Sequence, residues 1–255
     1  MSLLNVEGLS RNFGGLRAVS NVSFAVREGS IKALIGPNGA GKTTLFNLVS
    51  GFLPPDNGTV SFNGEPVQGL KPFQIAAKGI SRTFQHIRLF PKMSALENVM
   101  IGRHLHGRSG FLAGMLSLPW TRAEENRIRD TSMEILGFLG IAGLAEADAV
   151  SLSYGQQRTV ELARALAGEP RLLMLDEPAA GLNMRETAAM ARLIEKIRDA
   201  GVTVLVVEHD MGLVMNISDE ILVLSYGEKI ADDMPLAIQK NSEVIRVYLG
   251  EEESA

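Results

Sequence analysis

The spacing of apolar residues divides the strands of this chain into two kinds. Residues 3–9 and 22–26 alternate apolar with polar side chains, which predicts half-buried antiparallel strands. Residues 31–35, 172–175 and 202–207 are continuously apolar, which is typical of parallel strands covered on both faces. The pattern predicts an α/β fold with a mainly parallel sheet and an antiparallel β part near the N-terminus.

A stretch with helical character separates the first predicted strands from the later ones. Residues 86–150 show no strand pattern, and a capping box at Ser94 begins a helix that runs to about residue 103. A second capping box at Thr121 precedes a predicted helix over residues 122–139. Residues 111–120 are apolar but too short to cross a bilayer, so we interpret them as an internal cover.

These elements predict one domain with an insertion. The core is expected at residues 1–85 and 151–240, the inserted helical subdomain at residues 86–150, and a C-terminal helix with a tail at residues 241–255. A chain of 255 residues is long enough to bury a substantial core in this arrangement.

Composition limits the classes of function. The net charge is −4, which argues against a nucleic-acid-binding surface, so no nucleic-acid partner is expected. The chain contains no cysteine, which excludes disulfides, thiol chemistry and cysteine-bound metals. Its first residues lack a signal-peptide pattern and no apolar run reaches the length of a membrane span. Any membrane association is therefore expected to come through a partner.

Residues 36–44, GPNGAGKTT, carry the strongest chemical signal because they fit the phosphate-binding pattern Gly-x-x-x-x-Gly-Lys-Thr. The pattern lies between a predicted strand and a predicted helix, so the helix N-terminus faces the bound anion. The glycines let backbone N–H groups approach a phosphate closely. Lys42 supplies a positive charge, and the Thr43 hydroxyl suits Mg²⁺. A glycine-rich turn that binds nothing is the alternative.

Polar residues follow several predicted strands. In doubly wound sheets, binding and catalytic residues lie at the carboxyl ends of the strands. Asp176 suits Mg²⁺ and Glu177 suits activation of a water molecule. His209 follows the strand at residues 202–207, and Gln85 ends a predicted strand over residues 80–84.

Two further features of the sequence each allow two interpretations when the residues are considered by themselves. Ser153 and Gln156 have capping-box spacing with Gly155 between them, which suits either an anion site or an ordinary capped helix. Phe13 suits either a core position or a platform for an adenine ring.

Taken together, these motifs resemble the ATP-binding subunits of ABC transporters over nearly the whole chain. The match places the Walker A loop at 36–44, the Q-loop glutamine at Gln85, the signature LSYGQQ at 152–157 and Walker B with the catalytic glutamate at 172–177. The D-loop then lies at 180–183 and the switch histidine is His209. The fold so implied is a P-loop NTPase core with an N-terminal antiparallel β subdomain and an inserted helical subdomain.

The resemblance assigns roles to individual residues. Lys42, Gln85, Glu177 and His209 are implied to be catalytic, and Thr43, Gln85 and Asp176 are implied to hold Mg²⁺. Nucleotide binding is implied for the following residues: Phe13 as the adenine platform, Ala18, Gly36, Pro37, Asn38, Gly39, Ala40, Gly41, Lys42, Thr43 and Thr44, with Ser153, Gly155 and Gln156 gripping the γ-phosphate on a second subunit.

The chain departs from the commonest family pattern at Phe13, usually Tyr, at Tyr154, usually Gly, and at Asn183, usually Asp. The form of the signature and residues 83–104 and 177–183 resemble the subgroup that serves branched-chain amino-acid importers. That resemblance implies an ATP- and Mg²⁺-dependent ATPase on the cytoplasmic face of the inner membrane, held peripherally.

The implied partners are permease subunits, a second ATPase subunit that is either identical or a related paralogue, and, indirectly, an extracytoplasmic solute-binding protein. Import of another small polar solute is one alternative function. A non-transport ABC ATPase in DNA repair or on ribosomes is a second, and a P-loop kinase for a small molecule is a third.

Overall fold

The computed structural model describes residues 2–103 and 119–252. The strands are β1 Ser2–Phe13, β2 Leu16–Arg27, β3 Ile31–Ile35, β4 Asn57–Phe62, β5 Glu65–Pro66, β6 Ile80–Arg82, β7 Leu172–Asp176, β8 Thr203–Val207, β9 Glu220–Ser225 and β10 Glu228–Asp233. The helices are α1 Lys42–Val49, α2 Pro72–Ala77, α3 Ala95–Gly102, α4 Pro119–Phe138, α5 Tyr154–Leu166, α6 Met184–Asp199, α7 Met211–Ile217, α8 Pro235–Lys240 and α9 Ser242–Glu252.

The central sheet of the described chain has the strand order β10-β9-β3-β8-β7-β6. Strand β3 pairs in parallel with β8 and β9, β7 pairs in parallel with β6 and β8, and only β10 joins antiparallel, through a hairpin with β9. Every residue of β3, β7 and β8 is buried, because helices cover one face of the sheet and the antiparallel sheet lies over the other. The predicted mainly parallel α/β fold is confirmed.

The N-terminal sheet has the order β2-β1-β4-β5 and is antiparallel throughout. Its strands β1 and β2 each run for 12 residues, longer than the two short strands that alternation predicted. The pattern fails toward the hairpin turn because Phe13 and Leu16 pair there in an exposed position rather than over the core. The inner side chains of this sheet form one hydrophobic core with α1 and one face of the central sheet.

The helical region lies on the other face of the central sheet. Helices α3 and α5 pack against each other and α4 packs on both, so that Leu96, Leu136 and Leu166 join the same core as Leu173 and Val206 of the sheet. Helix α4 begins at Pro119, so the prediction that Thr121 caps it is wrong. Residues 104–118, with most of the apolar stretch 111–120, lie outside the described residues.

Three local differences from the pattern-based expectation have clear causes. Strand β6 ends at Arg82 rather than at residue 84, because the carbonyls of Phe84 and Gln85 accept hydrogen bonds from the Arg158 guanidinium instead of from a strand. Helices α7 and α8 were not predicted, since seven and six residues give too few turns for a helical period to show. No helix in the described ranges combines the length and apolar character that a membrane span requires.

Candidate functional site

The phosphate loop connects β3 to α1 through a tight turn that only glycine fits at two positions. A Cβ on Gly36 would lie 2.2 Å from the carbonyl oxygen of Leu224, and a Cβ on Gly41 would lie 2.3 Å from that of Ala18. Gly41 is also the N-cap of α1, with a left-handed φ of 97°. The first N–H groups of α1 have no intrahelical acceptor and therefore suit an anion held over this turn.

Lys42 folds back across the loop that precedes it. Its ammonium donates hydrogen bonds to the carbonyl oxygens of Gly36, at 2.5 Å, and Pro37, at 2.8 Å. The positive charge is thus held over the concave side of the loop. A phosphate placed there meets both the charge and the helix N-terminus.

A cavity of about 590 Å³ opens beside the loop, and its volume lies in the range of small-molecule sites. It brings together residues from the N-terminal sheet, the loop and two strand ends. The lining residues are Phe13, Leu16, Arg17, Ala18, Asn38, Gly39, Ala40, Gly41, Lys42, Thr43, Thr44, Gln85, Glu177 and Tyr226. Gly36 and Pro37, the first two residues of the turn, are not among the lining residues.

Leu16, Arg17 and Tyr226 are lining residues that the sequence pattern did not point to. Tyr226 and Gly227 form the β9–β10 hairpin turn with φ angles of 47° and 80°, and Gly227 donates to the carbonyl of Ala40 at 3.0 Å. The dipeptide Tyr226-Gly227 in the sequence indicates a hairpin turn, but nothing local shows that this turn reaches the cavity.

The catalytic candidates at the ends of β7 and β8, and beyond the end of β6, form one cluster. The Gln85 side-chain amide donates to Glu177 Oε2 at 2.8 Å, and His209 Nδ1 lies 3.9 Å from the same oxygen. Glu177 has a left-handed φ of 49°, an uncommon conformation for a residue with a side chain. Since β6, β7 and β8 are adjacent, the sheet order itself brings these three residues together.

A second cavity, of about 460 Å³, is lined by the three residues suggested for Mg²⁺, which are Thr43, Gln85 and Asp176. A hydroxyl, an amide and a carboxylate are oxygen donors, the ligand type that Mg²⁺ prefers, so the residues fit this ion. Arg82 donates to Asp176 Oδ2 at 2.8 Å, and both side chains are more than nine-tenths buried. This buried pair fixes the orientation of the carboxylate.

Glu208 is a residue of the site that the sequence did not single out. Its carboxylate is 1% exposed and accepts hydrogen bonds from the N–H groups of Ala179, at 2.8 Å, and His209, at 3.1 Å. It therefore ties the segment after Glu177 to the segment that carries His209. Burial raises the pKa of Glu208, and the two backbone hydrogen bonds offset only part of that rise.

The raised pKa of Glu208 leads to a testable pH dependence of stability. A carboxyl whose pKa is higher in the folded than in the unfolded state stabilises most below its unfolded pKa, and this contribution is lost as the pH rises through the folded pKa. We expect the wild type to lose free energy of unfolding relative to Glu208→Gln as the pH is raised from about 4 to 8. Urea unfolding of both proteins at several pH values measures this difference. A difference that does not change with pH would contradict the assignment.

The signature residues lie at the start of α5 and are not among the lining residues of the cavity beside the phosphate loop. Ser153 Oγ accepts from the Gln156 N–H at 3.3 Å, and the Gln156 side chain accepts from the Ser153 N–H at 2.9 Å, so the predicted capping box is present. Gly155 lies beside α6, and a Cβ there would be 3.0 Å from Glu186 Oε1. One chain therefore has two separate helix N-termini of the kind that suits an anion, at α1 and at α5.

The D-loop departure at Asn183 has a structural role. Its side-chain oxygen accepts from the N–H groups of Arg185, at 3.0 Å, and Glu186, at 3.1 Å, and so caps α6. The preceding Gly181 has a φ of 78° and packs against the Tyr154 ring. The second departure, Tyr154, thus contacts the D-loop directly.

Comparison with known proteins agrees with this geometry. The family model for ABC transporters matches residues 19–180. The chain is 47% identical to the high-affinity branched-chain amino acid transport ATP-binding protein BraF of Pseudomonas aeruginosa over 250 residues, which cover 98% of each protein. It also resembles two solved structures of ATP-binding cassettes.

The first of these structures is the ADP conformation of MJ1267, an ATP-binding cassette of an ABC transporter. It superposes with a TM-score of 0.86 at 31% identity, covering 98% of this chain and 99% of that one. The dimeric structure of MJ0796, a bacterial ABC transporter cassette, gives a TM-score of 0.77 at 25% identity, covering 91% and 98%. The family model and the 47% identical relative show that the chain belongs to the ABC transporter family of ATP-binding proteins.

Proposed function

We propose that this chain is the ATP-hydrolysing subunit of an importer for branched-chain amino acids. The observation that carries the proposal is the 47% identity to BraF over 98% of both chains, which leaves no large segment of either unmatched. The Gln85–Glu177–His209 cluster supports hydrolysis, because a carboxylate, an amide and an imidazole converge on the side of the phosphate loop. Import of another small polar solute is the alternative.

In this proposal the phosphate loop binds the triphosphate of ATP. Residues 36–44 surround the β- and γ-phosphates with backbone N–H groups, and Lys42 offsets their charge. Phe13 is 43% exposed at the mouth of the cavity, and its flat ring can stack on adenine beside Ala18. Exposure of a large aromatic side chain agrees better with this platform role than with a core position.

Hydrolysis needs a water molecule held for attack on the γ-phosphate. Glu177 polarises this water as a general base. Gln85 holds the Glu177 carboxylate by a hydrogen bond and so positions the water as well. His209 contacts the γ-phosphate side. Thr43, Gln85 and Asp176 would hold Mg²⁺. When bound, this ion neutralises charge that develops on the phosphoryl oxygens.

Two copies of the chain, or one copy with a related paralogue, would complete each site. The start of α5, with Ser153, Gly155 and Gln156, lies apart from the cavity of its own chain and would meet the γ-phosphate on the partner. Binding of ATP then adds an anion between two helix N-termini and closes the dimer, and hydrolysis removes that contact. The dimeric cassette structure MJ0796 offers a precedent for such an assembly.

A permease would dock beside the Q-loop, on residues 84–91 and helix α3. The cavity that contains the three candidate Mg²⁺ residues is also lined by Phe52, Leu53, Phe84, His86 and Arg88. The surface beside it therefore combines apolar and basic side chains, which suits a short permease helix. Phe52 and Phe90 are 47% and 48% exposed on this surface. The chain would thus lie peripherally on the cytoplasmic face of the inner membrane, with the solute-binding protein acting through the permease.

The test is purification of the complete complex from membranes, reconstitution in vesicles and measurement of ATPase activity with solute-loaded binding protein. Leucine, isoleucine and valine are expected to stimulate hydrolysis, and polar amino acids such as serine are not. Crosslinkers placed at residues 84–91 are expected to reach the permease. Stimulation by polar solutes alone would replace the substrate assignment, and an active ATPase that co-purifies with ribosomes or DNA would refute the transport role.

A further inference from the structure

Arg158 of α5 holds the backbone on which the Q-loop glutamine is carried. Its guanidinium donates to the carbonyl oxygens of Phe84, at 3.0 Å, and Gln85, and to Glu161 Oε2 at 3.3 Å. The side chain is 3% exposed, so these bonds form away from water, where charge-assisted hydrogen bonds are strong and their loss is costly. Arg158 therefore fixes where residues 84 and 85 lie relative to α5.

Tyr154 connects the same guanidinium to the start of α5. Arg158 donates to the Tyr154 hydroxyl at 3.1 Å, and its charge lies 5.4 Å from the centre of the Tyr154 ring. The ring also lies against Gly181, where an added Cβ would be 3.0 Å from Tyr154 Cε1. A glycine at position 154 would make none of these contacts, so the unusual signature residue has a definite structural effect.

These contacts form a continuous path from one phosphate-binding helix start to the catalytic carboxylate. The path begins at Ser153 and Tyr154, passes through Arg158 to the Gln85 carbonyl, and continues through the Gln85 side chain to Glu177 at 2.8 Å. Its two ends belong to different ATP sites of a head-to-tail dimer, since the signature faces the partner's nucleotide and Glu177 faces its own.

We propose that Arg158, supported by Tyr154, is a positioning residue that couples the signature end of α5 to the Gln85–Glu177 pair of the same chain and so links the two ATP sites. The proposal rests on the proposed function, because it needs a dimer with nucleotide at both sites. A change of α5 when its N-terminus meets phosphate is transmitted to the carbonyls of residues 84 and 85, because the buried guanidinium binds both of them. The Gln85 side chain, which bonds Glu177 at 2.8 Å, then carries this change to the catalytic carboxylate.

Arg158→Met removes the path, and Arg164→Met is the matched control. Arg164 lies on the same helix and also donates to a backbone carbonyl of the Q-loop segment, that of Arg88, but it does not touch residues 84 or 85. Arg158→Lys keeps the charge without the fork geometry, and Tyr154→Phe removes only the hydroxyl, so both test the path with less risk to folding.

The first readout is amide hydrogen exchange with and without a non-hydrolysable ATP analogue and Mg²⁺. In the wild type and in Arg164→Met, the analogue is expected to protect both the phosphate loop, 36–44, and residues 83–86, which exclude Arg88, the partner of Arg164. In Arg158→Met, protection of the phosphate loop should remain while protection of residues 83–86 is lost. The same segment should show intermediate protection in Arg158→Lys and Tyr154→Phe.

The second readout is steady-state ATPase kinetics. Arg158→Met is expected to lower kcat by about 10- to 100-fold, as misplacement of a catalytic group does, with nucleotide affinity within about twofold of the wild type. Its Hill coefficient should fall toward 1. Tyr154→Phe should lower kcat only about fivefold, because it removes one hydrogen bond to the guanidinium and leaves those from Arg158 to residues 84 and 85. If Arg158→Met and Arg164→Met show equal hydrogen exchange in residues 83–86 and equal kcat, the inference about Arg158 is overturned and the proposed function is unaffected. No protection of residues 36–44 in any of the proteins would overturn the proposed function as well.

Discussion

Glu177→Gln is expected to slow ATP turnover by about 10²–10⁴-fold while ATP binding is retained. The substitution preserves the size and hydrogen-bonding shape of the side chain but removes the base that accepts a proton from the attacking water. Gln85 can still donate to the remaining carbonyl oxygen at position 177, so the local geometry should persist. ATP then stays bound and the closed dimer should accumulate.

Phosphate release and size-exclusion chromatography with ATP and Mg²⁺ measure the two effects on one preparation. Glu125→Gln, which changes an exposed carboxylate on α4, is the matched control and should resemble the wild type in both. Near-normal phosphate release by Glu177→Gln would show that another group activates the water. His209, 3.9 Å from the same carboxylate, would then be the first residue to substitute.

Lys42→Ala is expected to weaken nucleotide binding by about 10²-fold or more. Loss of even one charge-assisted hydrogen bond of about 1.5–3 kcal/mol lowers affinity about 10- to 100-fold. The loop also loses its own support, because the Lys42 ammonium bonds the carbonyls of Gly36 and Pro37. Both effects act on binding itself, in contrast to Glu177→Gln, which acts on the chemical step.

Equilibrium binding of a fluorescent ADP, followed by displacement with ATP, measures this loss. Lys240→Ala, at the exposed end of α8, removes the same charge from a remote site and should leave affinity unchanged. Circular dichroism should show that Lys42→Ala remains folded. Unchanged ATP affinity in a folded Lys42→Ala protein would exclude residues 36–44 as the nucleotide site.

The contrast between the two substitutions follows from where each residue lies in the fold. Lys42 bonds the carbonyls of Gly36 and Pro37, which lie only six and five residues earlier in the chain, so its role could be predicted from consecutive residues. Glu177 acts only in the company of Gln85, which is 92 residues away in the chain. The sequence placed both at strand ends, but adjacency of β6, β7 and β8 brings them into contact.

The residues that prediction missed all act through distant partners. Glu208 was not singled out because its carboxylate accepts a hydrogen bond from the N–H group of Ala179, 29 residues earlier, and nothing in the local pattern shows that contact. In the sequence, Arg82 and Arg158 look like ordinary surface charges. In the structure, Arg82 is buried against Asp176 and Arg158 against the Phe84 carbonyl, and each partner lies more than 70 residues away in the chain. Tyr226 reaches the nucleotide cavity only because the β9–β10 hairpin turns over the phosphate loop.

The amino-acid sequence by itself determined the phosphate loop, the parallel strands and the capped starts of α3 and α5, because each depends on contacts within one or two turns of chain. The tertiary structure alone decided the neighbours of these elements. It placed Gln85 and His209 around the Glu177 carboxylate. It also buried the Arg158 side chain of α5 against the backbone of the Q-loop. The physical reason is that strand order and side-chain burial depend on the packing of the whole chain, whereas turns and caps are satisfied locally.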